Sequence, residues 1–110
     1  MFVAAQGSPR SRFRRAIDAQ SVLLAELSAR EMRHVDLADA LELVLLYGNE
    51  SDPKYERAAC RWLGRLAAEQ QDVTLGQLQL AASALAALPA APAASRAALR
   101  GLLRRPSVSG

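Results

Sequence analysis

The chain is predicted to fold as one compact all-α domain of about five helices, stacked as antiparallel helical hairpins. Three observations predict it. Hydrophobic residues make up 51% of the 110 residues and aromatics only 5%, with alanine and leucine dominant and β-branched residues scarce, which favours helix over strand. Apolar residues recur at steps of three and four along most of the chain. The segments between these runs are only a few residues long, the spacing expected of antiparallel neighbours. A chain of this length suits a single domain with one modest core.

The first helix is expected from Pro9 to Arg33. Ser8 is a suitable N-cap, and Pro9 fits the first helical position. Phe13, Ile17, Leu24 and Leu27 fall on one face, and Arg12, Arg15, Glu26 and Arg30 lie mostly elsewhere. The second helix is expected from Leu37 to Tyr47, capped by Asp36, with Asp39 in the first turn where the helix dipole favours negative charge. It is apolar almost all round, as a central buried helix is, apart from the narrow stripe Asp36, Asp39 and Glu42. Gly48 is expected to end it in a left-handed conformation.

Asp52 is then the expected cap and Pro53 the start of a third helix reaching Gln70. The acidic run Asn49–Asp52 is thus a stop, a connection and a start. A calcium loop would need alternating oxygen ligands over about 12 residues, and here the chain enters helix at Pro53. Tyr55, Ala59, Trp62, Leu63 and Leu66 form the inner face of this helix, and Lys54, Arg57, Arg61 and Arg65 the outer. Glu69 can pair with Arg65 one turn back.

Thr74 and Gln77 form a capping box opening a fourth helix that runs to about Leu88. A fifth is expected from Ala93 to Arg105, ended by Pro106. The tails 1–7 and 106–110 are expected to be disordered. No phrase recurs at a fixed period, so no repeat architecture is indicated.

The stretch "SAREMRHVDLADALELVLLYGNESDPKYERAACRWLGRL", followed by "VTLGQLQLAASALAAL", resembles a group of small helical proteins of high-GC actinobacteria known only as hypothetical proteins. The likeness covers Ala29 to Leu88 and part of the first helix, and "DPKYERAACRW" is its most specific element. It implies an all-α fold and a bacterial, cytoplasmic setting. It brings no activity, cofactor or catalytic residue.

Cys60 is the only cysteine, which rules out an internal disulfide and any zinc site built on paired cysteines. The N-terminus places a short apolar piece before its arginines, the reverse of a secretory leader. Residues 73–95 are uncharged, but two glutamines, two prolines and many alanines make them a poor membrane span. A cytoplasmic location is therefore expected.

Little in the sequence suggests catalysis. A cysteine–histidine pair would have to be Cys60 with His34, the sole histidine. Asp36, Asp39 and Glu42 could serve acid–base work or a hard metal. The simpler reading is a solvated stripe neutralised by Arg57, Arg61 or Arg65. Trp62 and Tyr55 are expected as core anchors. No metal or cofactor is expected.

Two binding readings remain. The fourth helix is uncharged throughout, and Leu80 and Ala84 point away from its core-facing leucines. Leu80, Ala84 and Leu88 are therefore the expected interface of a homodimer or of a complex with another protein. The alternative is a nucleic-acid-binding accessory protein. Charge is blocky: residues 9–34 hold six arginines against three acids, and residues 73–110 hold four arginines and no acid. Arg12, Arg15, Arg96, Arg100 and Arg104 would then contact phosphates. The tail sequence "RRPS" also fits a basophilic phosphorylation pattern at Ser107. A non-enzymatic interaction module is the leading expectation.

Overall fold

The computed structural model describes residues 7–104, and among them the chain forms six helices and no strand. These are α1 (Pro9–Asp18), α2 (Val22–Glu31), α3 (Leu37–Asn49), α4 (Tyr55–Glu69), α5 (Leu75–Ala87) and α6 (Pro92–Arg104). The expected disordered tails lie outside the described residues except for Gly7, as does Ser107.

The long first helix of the sequence reading is in fact two. Ser8 and Pro9 begin α1 as expected, the Ser8 hydroxyl accepting from the Ser11 amide at 3.1 Å. The helix then stops at Asp18. Gln20 takes the left-handed conformation at φ 56°. The Ser21 amide donates to the Ala16 carbonyl (3.0 Å) and the Gln20 amide to that of Ile17 (2.9 Å). This is the Schellman arrangement with glutamine where glycine is usual. Ser21 immediately caps α2, its hydroxyl accepting from the Leu24 amide at 3.2 Å.

Asp36 caps α3 as expected, accepting from the Asp39 amide at 2.8 Å. Gly48, however, does not end the helix. It sits inside α3, and the left-handed residue is Ser51 at φ 52°, with Asp52 N–H on the Tyr47 carbonyl (2.9 Å) and Ser51 N–H on the Gly48 carbonyl (3.2 Å). The glycine is needed for packing instead. A Cβ there would lie 2.4 Å from Leu88 Cδ2 and 3.1 Å from Tyr55 Cε1.

Asp52 does organise the entry to α4, accepting from the Lys54 amide at 2.8 Å, but Pro53 and Lys54 form a turn and the helix proper begins at Tyr55. The expected capping box of Thr74 and Gln77 opens α5.

The chain extends 50 × 36 × 21 Å. The thin dimension accommodates two layers of helices about 10 Å across. Sequence neighbours pack together as α1 on α2, α3 on α4 and α5 on α6, and α3 also touches α1, α2 and α6. The main core joins α3 through α6: Leu41, Val44, Leu45, Ala59, Trp62, Leu66, Ala81, Ala84, Leu85, Leu88, Leu99 and Leu102. Trp62 is 1% exposed and donates its indole N–H to the Leu37 carbonyl at 2.9 Å, which locks α4 onto the start of α3. A second, smaller cluster holds Phe13, Ala16, Ala25 and Leu46.

Candidate interaction surfaces

The break at Gln20 determines which side of α2 meets water. In one continuous helix, Leu24 and Leu27 would follow Phe13 and Ile17 into the core. After the break, α2 turns Ala25 and Ser28 inward instead. Leu23, Leu24 and Leu27 are left 65%, 53% and 44% exposed. The core placement expected for Leu24 and Leu27 is thus corrected. Isolated exposed leucines are ordinary on any protein. Three on one ten-residue helix, at steps of three and four, form a contiguous apolar ridge.

One side of this ridge borders α3 and α4. Glu26, next to Leu27, accepts from the Tyr47 hydroxyl of α3 at 2.6 Å and pairs with Lys54 Nζ at 3.4 Å. Lys54 also pairs with Asp52 (3.3 Å) and lies over the Tyr47 ring, 5.5 Å from its centroid. Burial first, and the hydrogen bond to Glu26 second, raise the Tyr47 hydroxyl above its ordinary value; the Arg30 charge weakly opposes this. Lys54 is also raised, chiefly by its hydrogen bond to Asp52.

Beside this cluster lies an open cavity of about 390 Å3 lined by Tyr47, Pro53, Lys54, Arg57, Ala58 and Arg61. Arg57 and Arg61 are exposed, and among the described residues no ion pair or hydrogen bond engages either side chain. Tyr47 forms the floor of the groove. The Pro53–Lys54 turn and the basic face of α4 line its side, and α2 adjoins it through Glu26, which holds both Tyr47 and Lys54.

The arginines expected on phosphate are mostly engaged within the chain. Arg12 bonds to Glu31 and to the Gly7 carbonyl (3.1 Å). Arg15 is exposed and also interacts within the chain. Arg100 grips Glu42 with two hydrogen bonds, of 2.9 and 2.7 Å. Arg96 donates to the Asn49 side-chain oxygen at 3.0 Å, a neutral partner that leaves its charge uncompensated. The Arg104 side chain and Arg105 lie outside the described residues.

These pairings also correct the reading of the acidic stripe on α3. Asp39 is not solvated. Its side chain is 3% exposed and receives Arg10 Nε at 2.8 Å and Arg14 Nη1 at 3.4 Å, both from α1. Glu42 is met by Arg100 of α6. Arg57 and Arg61 take no part. Arg65 holds Glu69 at 2.7 Å, as expected, donates to the Val35 carbonyl at 2.8 Å, and also feels the Asp36 charge of the stripe, though less than that of Glu69.

On α5, Leu80 is 49% exposed, as expected, and Leu75 is 85% exposed. Ala84 and Leu88 are 8% and 2% exposed and belong to the chain's own core, so they are not available as surface contacts. The outward side of α5 consists of Leu75, Gly76, Gln79, Leu80, Ser83, Ala86 and Ala87, all exposed and none charged.

The chain matches no protein family, no curated protein and no solved structure. Function is therefore read from geometry. Among the described residues no group of three or more His, Cys, Asp and Glu side chains is placed to hold a metal, and no helix is long and apolar enough to cross a membrane. Cys60 and His34 are both exposed, and no hydrogen bond joins them. The α2 ridge was hidden from the sequence reading by the unseen break. Ser21, a serine three residues before Leu24, was the available sign of a helix start.

Proposed function

We propose that the chain is a non-enzymatic helical protein–protein interaction module. One observation carries this: among the described residues the large exposed hydrophobics are Leu23, Leu24, Leu27, Leu75 and Leu80, gathered on two helices rather than scattered. Apolar surface grouped in this way marks sites that a partner covers.

Self-association belongs to α5. Two copies of a chain with net charge +3 repel each other least where they present an uncharged face, and the outer side of α5 is such a face. Its alanines, serine and glycine let a second helix approach closely. Leu80→Glu should convert a wild-type dimer to a folded monomer, because an uncompensated charge in an apolar contact is unfavourable while the core is untouched. Sedimentation or light scattering at high concentration, with circular dichroism as the folding check, decides it. A wild-type monomer that Leu80→Glu leaves unchanged in mass would refute self-association.

The nucleic-acid alternative draws on Arg96, whose partner is a neutral amide, and on the unpaired Arg57 and Arg61. Retardation of duplex DNA and of RNA should then fall steeply between low and moderate salt. No binding at low salt ends that reading.

A further inference from the structure

We propose that the basic cavity at the start of α4, together with the adjoining leucine ridge of α2, docks an acidic amphipathic helix of a different protein. The inference rests on the interaction-module reading and names the partner class for a second face of the chain. Leu23 and Leu27, three residues before and one after the Glu26 that pairs with Lys54, provide an apolar ridge on α2, 65% and 44% exposed. Arg30 is exposed on the next turn of α2. Arg57 and Arg61 line the cavity. The carboxylates that reach into the groove are already taken, since Glu26 holds Tyr47 and Lys54, and Asp52 holds Lys54 and caps the α4 turn. Among the described residues no ion pair engages Arg57 or Arg61, so the cavity lining keeps two unanswered positive charges.

The complement is a helix with leucine-like side chains at helical spacing and glutamates or aspartates flanking them. A second copy of this chain fits poorly, because the mutual charge is repulsive. Nucleic acid would use the arginines and leave the leucine ridge without a role. A membrane would use the charges only as a diffuse surface and would not select a pattern of acidic side chains.

The test is a display selection against the whole protein. The library is an amphipathic helix with a fixed leucine seam and randomised flanking positions. Survivors should be enriched in Asp and Glu and depleted in Lys and Arg. A synthesised survivor, followed by fluorescence anisotropy, should weaken about tenfold on Arg57→Glu with Arg61→Glu, two reversals of exposed charge. It should weaken at least about tenfold on Leu23→Ala with Leu27→Ala, which removes apolar contact area. All four positions are exposed, so the folds persist, as circular dichroism should confirm. Leu80→Glu should leave the affinity unchanged.

No enrichment, neutral or basic survivors, or binding indifferent to both double variants would overturn the proposal. So would binding of duplex DNA or phosphatidylserine vesicles that Arg57→Glu with Arg61→Glu abolishes while no acidic peptide is selected. If these results fail while Leu80→Glu still monomerises the protein, only the acidic-helix proposal falls. If both fail, the interaction-module reading falls with it.

Discussion

Gly48→Ala separates two explanations of one glycine. Were Gly48 a left-handed helix terminus, alanine would be disfavoured by its backbone angle, whatever surrounds it. In the structure it is an interior helical residue, where alanine alone would gain about 0.5–1 kcal/mol. Against this, the new Cβ would meet Leu88 Cδ2 at 2.4 Å and the Tyr55 ring at 3.1 and 3.2 Å. Neither neighbour yields freely. Leu88 is 2% exposed, and the Tyr55 hydroxyl is bonded to the Leu85 carbonyl at 2.7 Å. Overpacking of this kind costs about 1–3 kcal/mol, so the net destabilisation should be about 1–2 kcal/mol by the same reckoning. The deciding measurement is a double-mutant cycle with Leu88→Ala, using urea unfolding followed by Trp62 fluorescence. Leu88→Ala removes the 2.4 Å contact and is itself destabilising by about 2–5 kcal/mol. In that background Gly48→Ala should become neutral or slightly stabilising, giving a coupling of about 1–3 kcal/mol. An equal loss in both backgrounds would refute the packing explanation and restore the backbone one.

Three further outcomes are expected. Ser21→Ala should destabilise by about 1 kcal/mol because it removes the cap of α2; in an unbroken helix the same change would stabilise, so the sign of the shift in thermal midpoint is decisive. Trp62→Ala should lose about 3–5 kcal/mol in chemical unfolding monitored by circular dichroism, as for a fully buried aromatic. Tyr47 is raised mainly by burial, so its contribution is whole below the unfolded value of ~10 and fades as pH climbs toward the folded value. Tyr47→Phe should flatten the alkaline decline in the urea midpoint above about pH 10, leaving a residue of slope from Tyr55, which burial also raises.

What the sequence disclosed was local. Ser8, Asp36 and the Thr74–Gln77 box are caps whose partners lie three residues away, and each was placed correctly. The inner face of α4 was equally plain, since one uninterrupted periodicity carries Ala59, Trp62 and Leu66. Failures came where distant or atypical residues decide. Glutamine seldom takes a left-handed angle, so nothing marked Gln20 as a terminator, and the error moved Leu24 and Leu27 to the wrong side. Ala84 was assigned outward on an uncharged helix, where periodicity gives no contrast between faces. The partners of Asp39 and Glu42 lie 25 or more residues away in α1 and α6, beyond the reach of pattern reading.

The division of the core has a kinetic consequence. The α1–α2 pair is held by a cluster of four buried side chains, while the other core cluster has twelve. Its ties to the remainder include Leu43 and Leu46, the bonds of Glu26 to Tyr47 and Lys54, the Asn49–Gln20 hydrogen bond and the ion pairs of Asp39 with Arg10 and Arg14. A unit with so little burial should open as a body before the rest unfolds. Amide hydrogens of residues 9–31 should then exchange together, faster than those around Trp62, and each opening would bare Phe13 and Leu46 to solvent. The leucine-bearing α2 would swing out with that unit, so a ligand seated against α2 would slow exchange across the whole segment.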